Sequence, residues 1–295
     1  KQLNPDFATA KILFMTEKST LDIDLASTRT ETYKTPAALP TVECIGCPIK
    51  EDLIRRDFTI NSMGICLHQK HFGDLVDCLG GYEDIKKQLI RVNHVYSFID
   101  DPTRMIRGSK FAIRFDYDFS EGTKYLIESC LESGLFDSLC TERLKLELKD
   151  LLSLESVSVF DYMINLKLYT LLNPAIENLS KTEYEILNKN INCFDLYIEE
   201  NYRWLIRLTY FLKSLEIKTI QEILKKLYLT NKEQEIILSG LAVFNKAQHL
   251  SPSSKPSEVY RAYVKAPLEA IVFSALQNHD HIKNYFINYF NVKPL

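Results

Sequence analysis

Two stretches decide how the chain is read: Glu51-Asp-Leu-Ile-Arg-Arg-Asp-Phe-Thr-Ile-Asn-Ser-Met63 and Asp100-Asp-Pro-Thr-Arg-Met-Ile-Arg-Gly-Ser-Lys-Phe111. In the second, Asp100-Asp101-Pro102 is a strong helix start, with an acidic cap and a proline in the first turn. The helix is predicted to run through Arg114, with Asp101 and Arg104 three apart on one face and Arg107 following at i+6. The first stretch reads as helical from Asp52 to Met63 and gathers Arg55, Arg56, Asp57 and Asn61. Taken singly, each cluster is also the pattern of a surface ion-pair network.

Upstream, Thr20-Leu-Asp-Ile-Asp-Leu-Ala26 alternates apolar and acidic positions, which predicts a strand with Asp22 and Asp24 on one face. Thr35 to Pro40 reads as a loop. Strands are expected around Gly64 to Leu67 and Asp74 to Cys78, and Gly80-Gly81 turns into a helix over Tyr82 to Gln88. Downstream, helices are expected over Thr123 to Ser133 and Ser138 to Ser153, the latter opened by Ser138 or Thr141. From Val157 onward apolar residues recur at helical spacing, as in Phe160, Met163, Ile164 and Leu168, which is the pattern of packed helical core. Ser251 to Pro256 is the clearest connector. Of the nine glycines, all but Gly240 lie between Gly46 and Gly134, so the turn-rich, loop-bearing part comes first.

The composition of 295 residues, 46% hydrophobic and 25% charged, excludes global disorder. No apolar run approaches a membrane span, and Lys1 to Ala10 lacks the apolar core expected of a signal peptide. A net charge of −3 argues against bulk electrostatic binding of nucleic acid and leaves room for a local basic patch. Seven scattered cysteines make no disulfide framework, so a reducing, cytoplasmic setting is expected. Cys44-Ile-Gly-Cys47 lacks the second pair that a structural zinc wants and reads as a turn. The six histidines show no ligand spacing, and the single dipeptide His279-Asp280 is what chance supplies. Trp204, near Tyr202, Arg203 and Arg207, either stacks on RNA bases or fills a helical core, with the core as the more economical reading.

Taken together, the clusters resemble the bacterial-type (class II) tRNA nucleotidyltransferases, meaning the CCA-adding enzymes and their CC-adding, A-adding and poly(A) polymerase relatives. The matching text begins with Ile23-Asp24, Arg29-Thr-Glu31-Thr-Tyr33 and Pro36 to Pro40. It continues with the RRDFTIN stretch, Asp77-Cys-Leu-Gly-Gly-Tyr-Glu-Asp84, Ile90-Arg91, Asp100 to Phe111 and Thr141-Glu142-Arg143. The resemblance implies an α+β fold: a partial nucleotidyltransferase palm with a small mixed sheet, then an elongated all-helical region. It implies a head part over 1–92, a base-selecting neck over 93–153 and an RNA-binding helical body and tail over 154–295.

By the same resemblance the activity is template-independent transfer of CMP or AMP from CTP or ATP to the 3′ end of tRNA. Asp24 takes the place of a third catalytic carboxylate and ligand of Mg²⁺, a hard cation that wants carboxylate oxygens. Arg55, Arg56 and Arg107 are candidates for the triphosphate, because guanidinium matches phosphate in a planar fork. Asp57 and Asn61 belong to the ribose-sensing motif. Asp101 and Arg104 would read the incoming base in place of a template. Adenine and cytosine both set an amino group beside a ring acceptor, whereas guanine and uracil would leave buried groups unpaired.

Lys110 stands where the family usually has Arg, and Asp100 where it usually has Glu. The family's glycine-rich loop and DxD carboxylates are expected upstream of Lys1, so the chain on its own is expected to be inactive. The alternative is a non-catalytic relative that binds RNA or nucleotide. CCA addition, A addition and poly(A) synthesis are not separated by these motifs.

Overall fold

The computed structural model describes all residues except 1, 6–7, 16–18, 39, 135–140, 251–253 and 277–295. The chain forms two compact units, Lys1–Cys140 and Thr141–Leu295. The first begins with an antiparallel sheet of β1 (Gln2–Asn4), β2 (Thr9–Met15) and β3 (Thr20–Ala26) in that order. A separate antiparallel pair joins β4 (Arg29–Thr32) to β5 (Thr41–Ile45), with a register shift at Thr30/Glu31. Then come α1 (Ile49–Ile54), a 3₁₀ turn over Thr59–Asn61, and the hairpin of β6 (Met63–Ile65) and β7 (Leu75–Asp77).

Helix α2 (Gly81–Lys86) begins on a carboxylate. Asp77 accepts from the backbone N–H groups of Leu79, Gly80, Gly81 and Tyr82 at 2.8–3.2 Å, filling the donors that a helix start leaves open. Burial alone would raise its carboxyl, but those four bonds hold it below its usual range. Strand β8 (Leu89–Ile90) leads to α3 (Ser97–Asp100) and α4 (Thr103–Phe115), then β9 (Asp118–Phe119) and α5 (Glu121–Ser133). The two-residue β9 pairs in parallel with β8, and is a short strand beyond the expected end of the sheet region. Phe58, Ile90, Met105, Ile106 and Phe119 lie in the core of this unit. Gly108 lets α4 meet it, since a Cβ there would sit 2.7 Å from the rings of both Phe58 and Phe119.

The expected helix over Asp52 to Met63 is corrected to α1, a turn and the start of β6. Tertiary hydrogen bonds override the local periodicity. Asn93 Nδ2 lies 3.1 Å from the carbonyl of Leu53 and 2.9 Å from that of Arg56, and Phe58 turns extended to bridge Val92. The helix expected from Asp100 through Arg114 is broken at its start. Asp101 is extended at φ −148°, ψ 92°, as a residue before proline prefers.

The described residues of the second unit are helical or in connections. Its helices are α6 (Thr141–Leu152), α7 (Ser158–Asn165), α8 (Lys181–Cys193), α9 (Arg203–Leu212), α10 (Ile217–Lys226), α11 (Asn231–Ala247) and α12 (Pro256–Tyr263), with residues 268–276 helical as well. Residues Trp204–Leu212 of α9 are all buried, and the helix packs against α6, α8 and α11, the position that such an all-round buried helix takes. Ser138 and His279-Asp280 lie outside the described residues.

Candidate functional site

Arg29, Arg55 and Arg56 gather around one buried carboxylate. Asp52 sits on α1 with only 3% of its surface exposed. Its Oδ1 accepts from the backbone N–H of Arg29 at 3.0 Å and from Arg55 Nη2 at 2.6 Å, and its Oδ2 from Arg56 Nη2 at 3.0 Å. The spacing explains the convergence, since Arg55 and Arg56 follow Asp52 at i+3 and i+4. Burial pushes the Asp52 carboxyl up, and the bonds from Arg55, Arg29 and Arg56 together outweigh it and hold it below its usual range. Arg55 also reaches Glu31 Oε2 at 3.2 Å and the carbonyl of Arg29 at 3.0 Å, and Arg29 Nε donates to Glu31 at 2.7 Å.

One turn on, Asp57 brings two more candidates together. Its Oδ2 accepts from Arg107 Nε, and its Oδ1 from Asn61 Nδ2 at 3.2 Å and from the N–H of Phe58 at 2.9 Å. Arg107 is about half exposed and lies over the ring of Phe111 at 5.4 Å. Lys110 follows one turn later on α4 and is partly buried.

Arg104 is buried, at 6% exposure. Its Nη1 donates to Ser97 Oγ at 2.8 Å, and its Nη2 to Tyr33 Oη at 3.2 Å and to the carbonyl of Arg55 at 3.1 Å. Asp101 Oδ2 stands 3.9 Å from Arg104 Nε. Its Oδ1 accepts from the N–H and hydroxyl of Thr103 at 3.1 and 2.6 Å. The expectation that Asp101 and Arg104 share a helix face is corrected here: Asp101 precedes α4, and the Pro102 turn brings the two together. Burial raises the Tyr33 hydroxyl and the Asp100 carboxyl above their usual ranges, against the opposing pull of Arg104. Burial and Arg104 both hold the His94 imidazole below its usual range.

Asp24 lies elsewhere in this unit, on β3 of the three-stranded sheet. Its side chain is 81% exposed, with Lys11 Nζ at 4.0 Å, and the same Lys11 lies 2.9 Å from Asp22. Both carboxylates therefore share a face, as the alternation predicts. Among the described residues no group of three or more His, Cys, Asp and Glu side chains is placed to hold a metal ion. Asp24 nevertheless fits one part of a Mg²⁺ site, because Mg²⁺ commonly takes one or two carboxylates and completes its shell with water and phosphate oxygens.

Sequence reasoning quoted Glu31, Tyr33 and Asp52 in its motifs without giving them a site role, and missed Asn93 and Ser97. Asp52 had a readable signal in its spacing to the arginines. Nothing in the sequence pairs Tyr33 or Asn93 with its partners, which are 71 and 37–40 positions away. Trp204 and Arg207 are fully buried, the latter donating to Asn188 Oδ1 at 2.7 Å and to the Leu152 carbonyl at 2.9 Å. Trp204 thus belongs to the core and is not placed to stack on RNA. Cys44 and Cys47 are free cysteines on either side of Gly46, which sits at φ +85°.

A sequence profile described as the poly A polymerase head domain matches residues 2–91. An A-adding tRNA nucleotidyltransferase of Geobacter sulfurreducens is 39% identical over 212 residues, which take in 70% of this chain and 23% of the relative. An A-adding tRNA nucleotidyltransferase of Aquifex aeolicus is 30% identical over 288 residues, 95% of this chain and 34% of the relative. The chain thus spans about a quarter to a third of the length of these two relatives. A solved structure of a CCA-adding enzyme with ATP is similar at a TM-score of 0.82 and 28% identity, over 98% of this chain and 67% of that one.

Proposed function

We propose, for a chain that belongs to the bacterial-type (class II) tRNA nucleotidyltransferase and poly(A) polymerase family, that it serves template-independent addition of AMP or CMP to the 3′ end of tRNA. In that reaction the terminal 3′-hydroxyl oxygen bonds to the α-phosphorus of ATP or CTP. The bond to the β-phosphate oxygen breaks, pyrophosphate leaves, and the hydroxyl proton is released.

Residues 1–92 then form the later part of the head, 93–153 the neck and 154–295 an RNA-binding body and tail. Arg56 and Arg107, both half exposed, face the triphosphate with Arg55 and Lys110 nearby, and Asp57 and Asn61 meet the ribose. Asp101 and Arg104 select the base. One observation carries this reading above the rest: Arg104 is 6% exposed, with its guanidinium held by Ser97, Tyr33 and the Arg55 carbonyl beside the Asp101 carboxylate. A donor and an acceptor fixed in advance are what base reading without a template requires.

Nucleotidyl transfer from a triphosphate is served by a divalent cation that binds phosphate oxygens. Asp24 would supply one carboxylate to Mg²⁺, which when bound neutralises charge on the triphosphate and favours the hydroxyl as nucleophile. No helix among the described residues is long and apolar enough to cross a membrane, and the cytoplasm, where tRNA and nucleotides are found, is the proposed location. Equilibrium binding of the four ribonucleoside triphosphates tests the reading. ATP and CTP are expected to bind more tightly than GTP and UTP, and equal affinity for all four would contradict it.

A further inference from the structure

Asp52 carries a role that the motif reading does not assign. Arg55 and Arg56 are adjacent and equally charged, yet they are held differently. The side chain of Arg55 is 18% exposed, and its Nε, Nη1 and Nη2 all have partners in Asp52, Glu31 and the Arg29 carbonyl. The side chain of Arg56 is 42% exposed and lays its Nε and Nη2 edge on Asp52 Oδ2 at 3.3 and 3.0 Å. Its Nη1 lies 3.5 Å from the Asn61 carbonyl, at the long end of hydrogen bonding, and the side chain keeps 42% of its surface open to solvent or ligand. A third tie from Asp52, to the backbone N–H of Arg29, fixes the carboxylate itself. Both Asp52 oxygens are taken by Arg29, Arg55 and Arg56, and a carboxylate would repel a triphosphate, so Asp52 acts through its neighbours.

We infer that Asp52 is a positioning residue for nucleotide binding. It locks Arg55 into the frame and seats Arg56 as the arginine presented to the triphosphate. The inference rests on the nucleotidyltransferase reading above and deepens it.

Two roles for a buried carboxylate beside arginines predict effects of opposite sign. If Asp52 merely offset positive charge, neutralising it would leave the site one charge more positive and tighten the hold on a polyanion. If it seats Arg56, neutralising it frees a long side chain whose ordering must then be supplied on binding, and productive binding weakens. Arg56→Lys separates the same two roles from the other side. It keeps the charge but loses the two-nitrogen edge that rests on Asp52.

The test is steady-state AMP incorporation from ATP into tRNA by the full-length protein, with thermal midpoints as folding controls. Asp52→Asn is expected to lower kcat/KM for ATP about ten-fold or more, the scale of a lost charged hydrogen bond. In an Arg56→Ala background the same change is expected to have less than about a two-fold effect, since the residue it positions is already gone. Arg56→Lys is expected to lower kcat/KM about ten-fold at an unchanged midpoint, and it decides the matter if Asp52→Asn does not fold. A lowered KM in Asp52→Asn, an undiminished effect in the Arg56→Ala background, or wild-type kinetics in Arg56→Lys would each overturn the inference. A wild-type protein that transfers neither AMP nor CMP would overturn the functional reading, and the inference with it.

Discussion

Arg104 Nη2 donates to the backbone carbonyl of Arg55 at 3.1 Å, across 49 positions of sequence. The contact ties the residue proposed to read the base to the turn that carries the residues proposed to hold the triphosphate and ribose. The end of α1 is completed by side chains from far along the chain: Arg104 takes the carbonyl of Arg55, and Asn93 those of Leu53 and Arg56. A helix end needs such partners for its last carbonyls, and here they come from the segment that includes the proposed base reader.

The proposed base selection by Asp101 and Arg104 is tested by substitution at Asp101. Asp101→Ala would also remove the acceptor for the Thr103 N–H, a loss of about 1 kcal/mol by analogy with helix caps. Asp101→Asn keeps an oxygen there and removes the charge, so it is the cleaner variant. In competition among the four nucleotides it is expected to relax the preference for ATP or CTP by about ten-fold or more, the scale of one lost base contact, with little change in thermal midpoint. An unaltered preference would assign the pair to structure alone.

Asp24→Asn tests the proposed metal ligand. Its side chain is 81% exposed, so folding is expected to be untouched, while incorporation falls sharply and is partly restored by raised Mg²⁺. Near wild-type turnover at limiting Mg²⁺ would remove Asp24 from the ligand set.

What was legible in the sequence was whatever is local. The alternation of Thr20 to Ala26 placed Asp22 and Asp24 on one face of β3, and the Asp101-Pro102 step marked where α4 begins. Arg55, Arg56, Asp57 and Asn61 proved to be neighbours because they lie within two turns of chain, whereas Arg107 reaches Asp57 from 50 positions away. The rest depended on partners distant in sequence. Asn93 ends α1 early from 37–40 positions away, and Tyr33 reaches Arg104 from 71. Neither residue has a periodicity or motif that announces its partner, so the predicted helix ran on to Met63. Trp204 illustrates the reverse: its helical spacing was visible, and burial decided between core and RNA contact.

Gly81 marks a close approach that only glycine permits. A Cβ there would lie 2.2 Å from the carbonyl oxygen of Thr59, whereas one at Gly64 would meet nothing within 4 Å. Gly81→Ala is therefore expected to cost about 1 to 3 kcal/mol, as overpacking does, and Gly64→Ala much less. Chemical denaturation of both variants checks the difference, and equal midpoints would show that the contact at Thr59 relaxes freely.

Acid should loosen the turn into α2. The folded-state carboxyl of Asp77 lies below its ordinary range because four backbone N–H groups outweigh its burial. Its contribution is thus complete above the unfolded-state value of about 3.9 and is lost as pH falls through the lower folded-state value. The thermal midpoint of the wild type is expected to drop below about pH 4, and that of Asp77→Asn to drop less, starting from a lower value at pH 7. Parallel pH profiles for the two proteins would contradict this assignment.

The most direct measurement is nucleotide transfer itself. The full-length protein is incubated with Mg²⁺, tRNA transcripts ending before the terminal C, C and A, and each of the four nucleoside triphosphates singly. Extension of the tRNA 3′ end with ATP, with or without CTP, and none with GTP or UTP is the expected result. No extension with any nucleotide, or extension with all four alike, would contradict a template-independent tRNA nucleotidyltransferase whose base choice lies in Asp101 and Arg104.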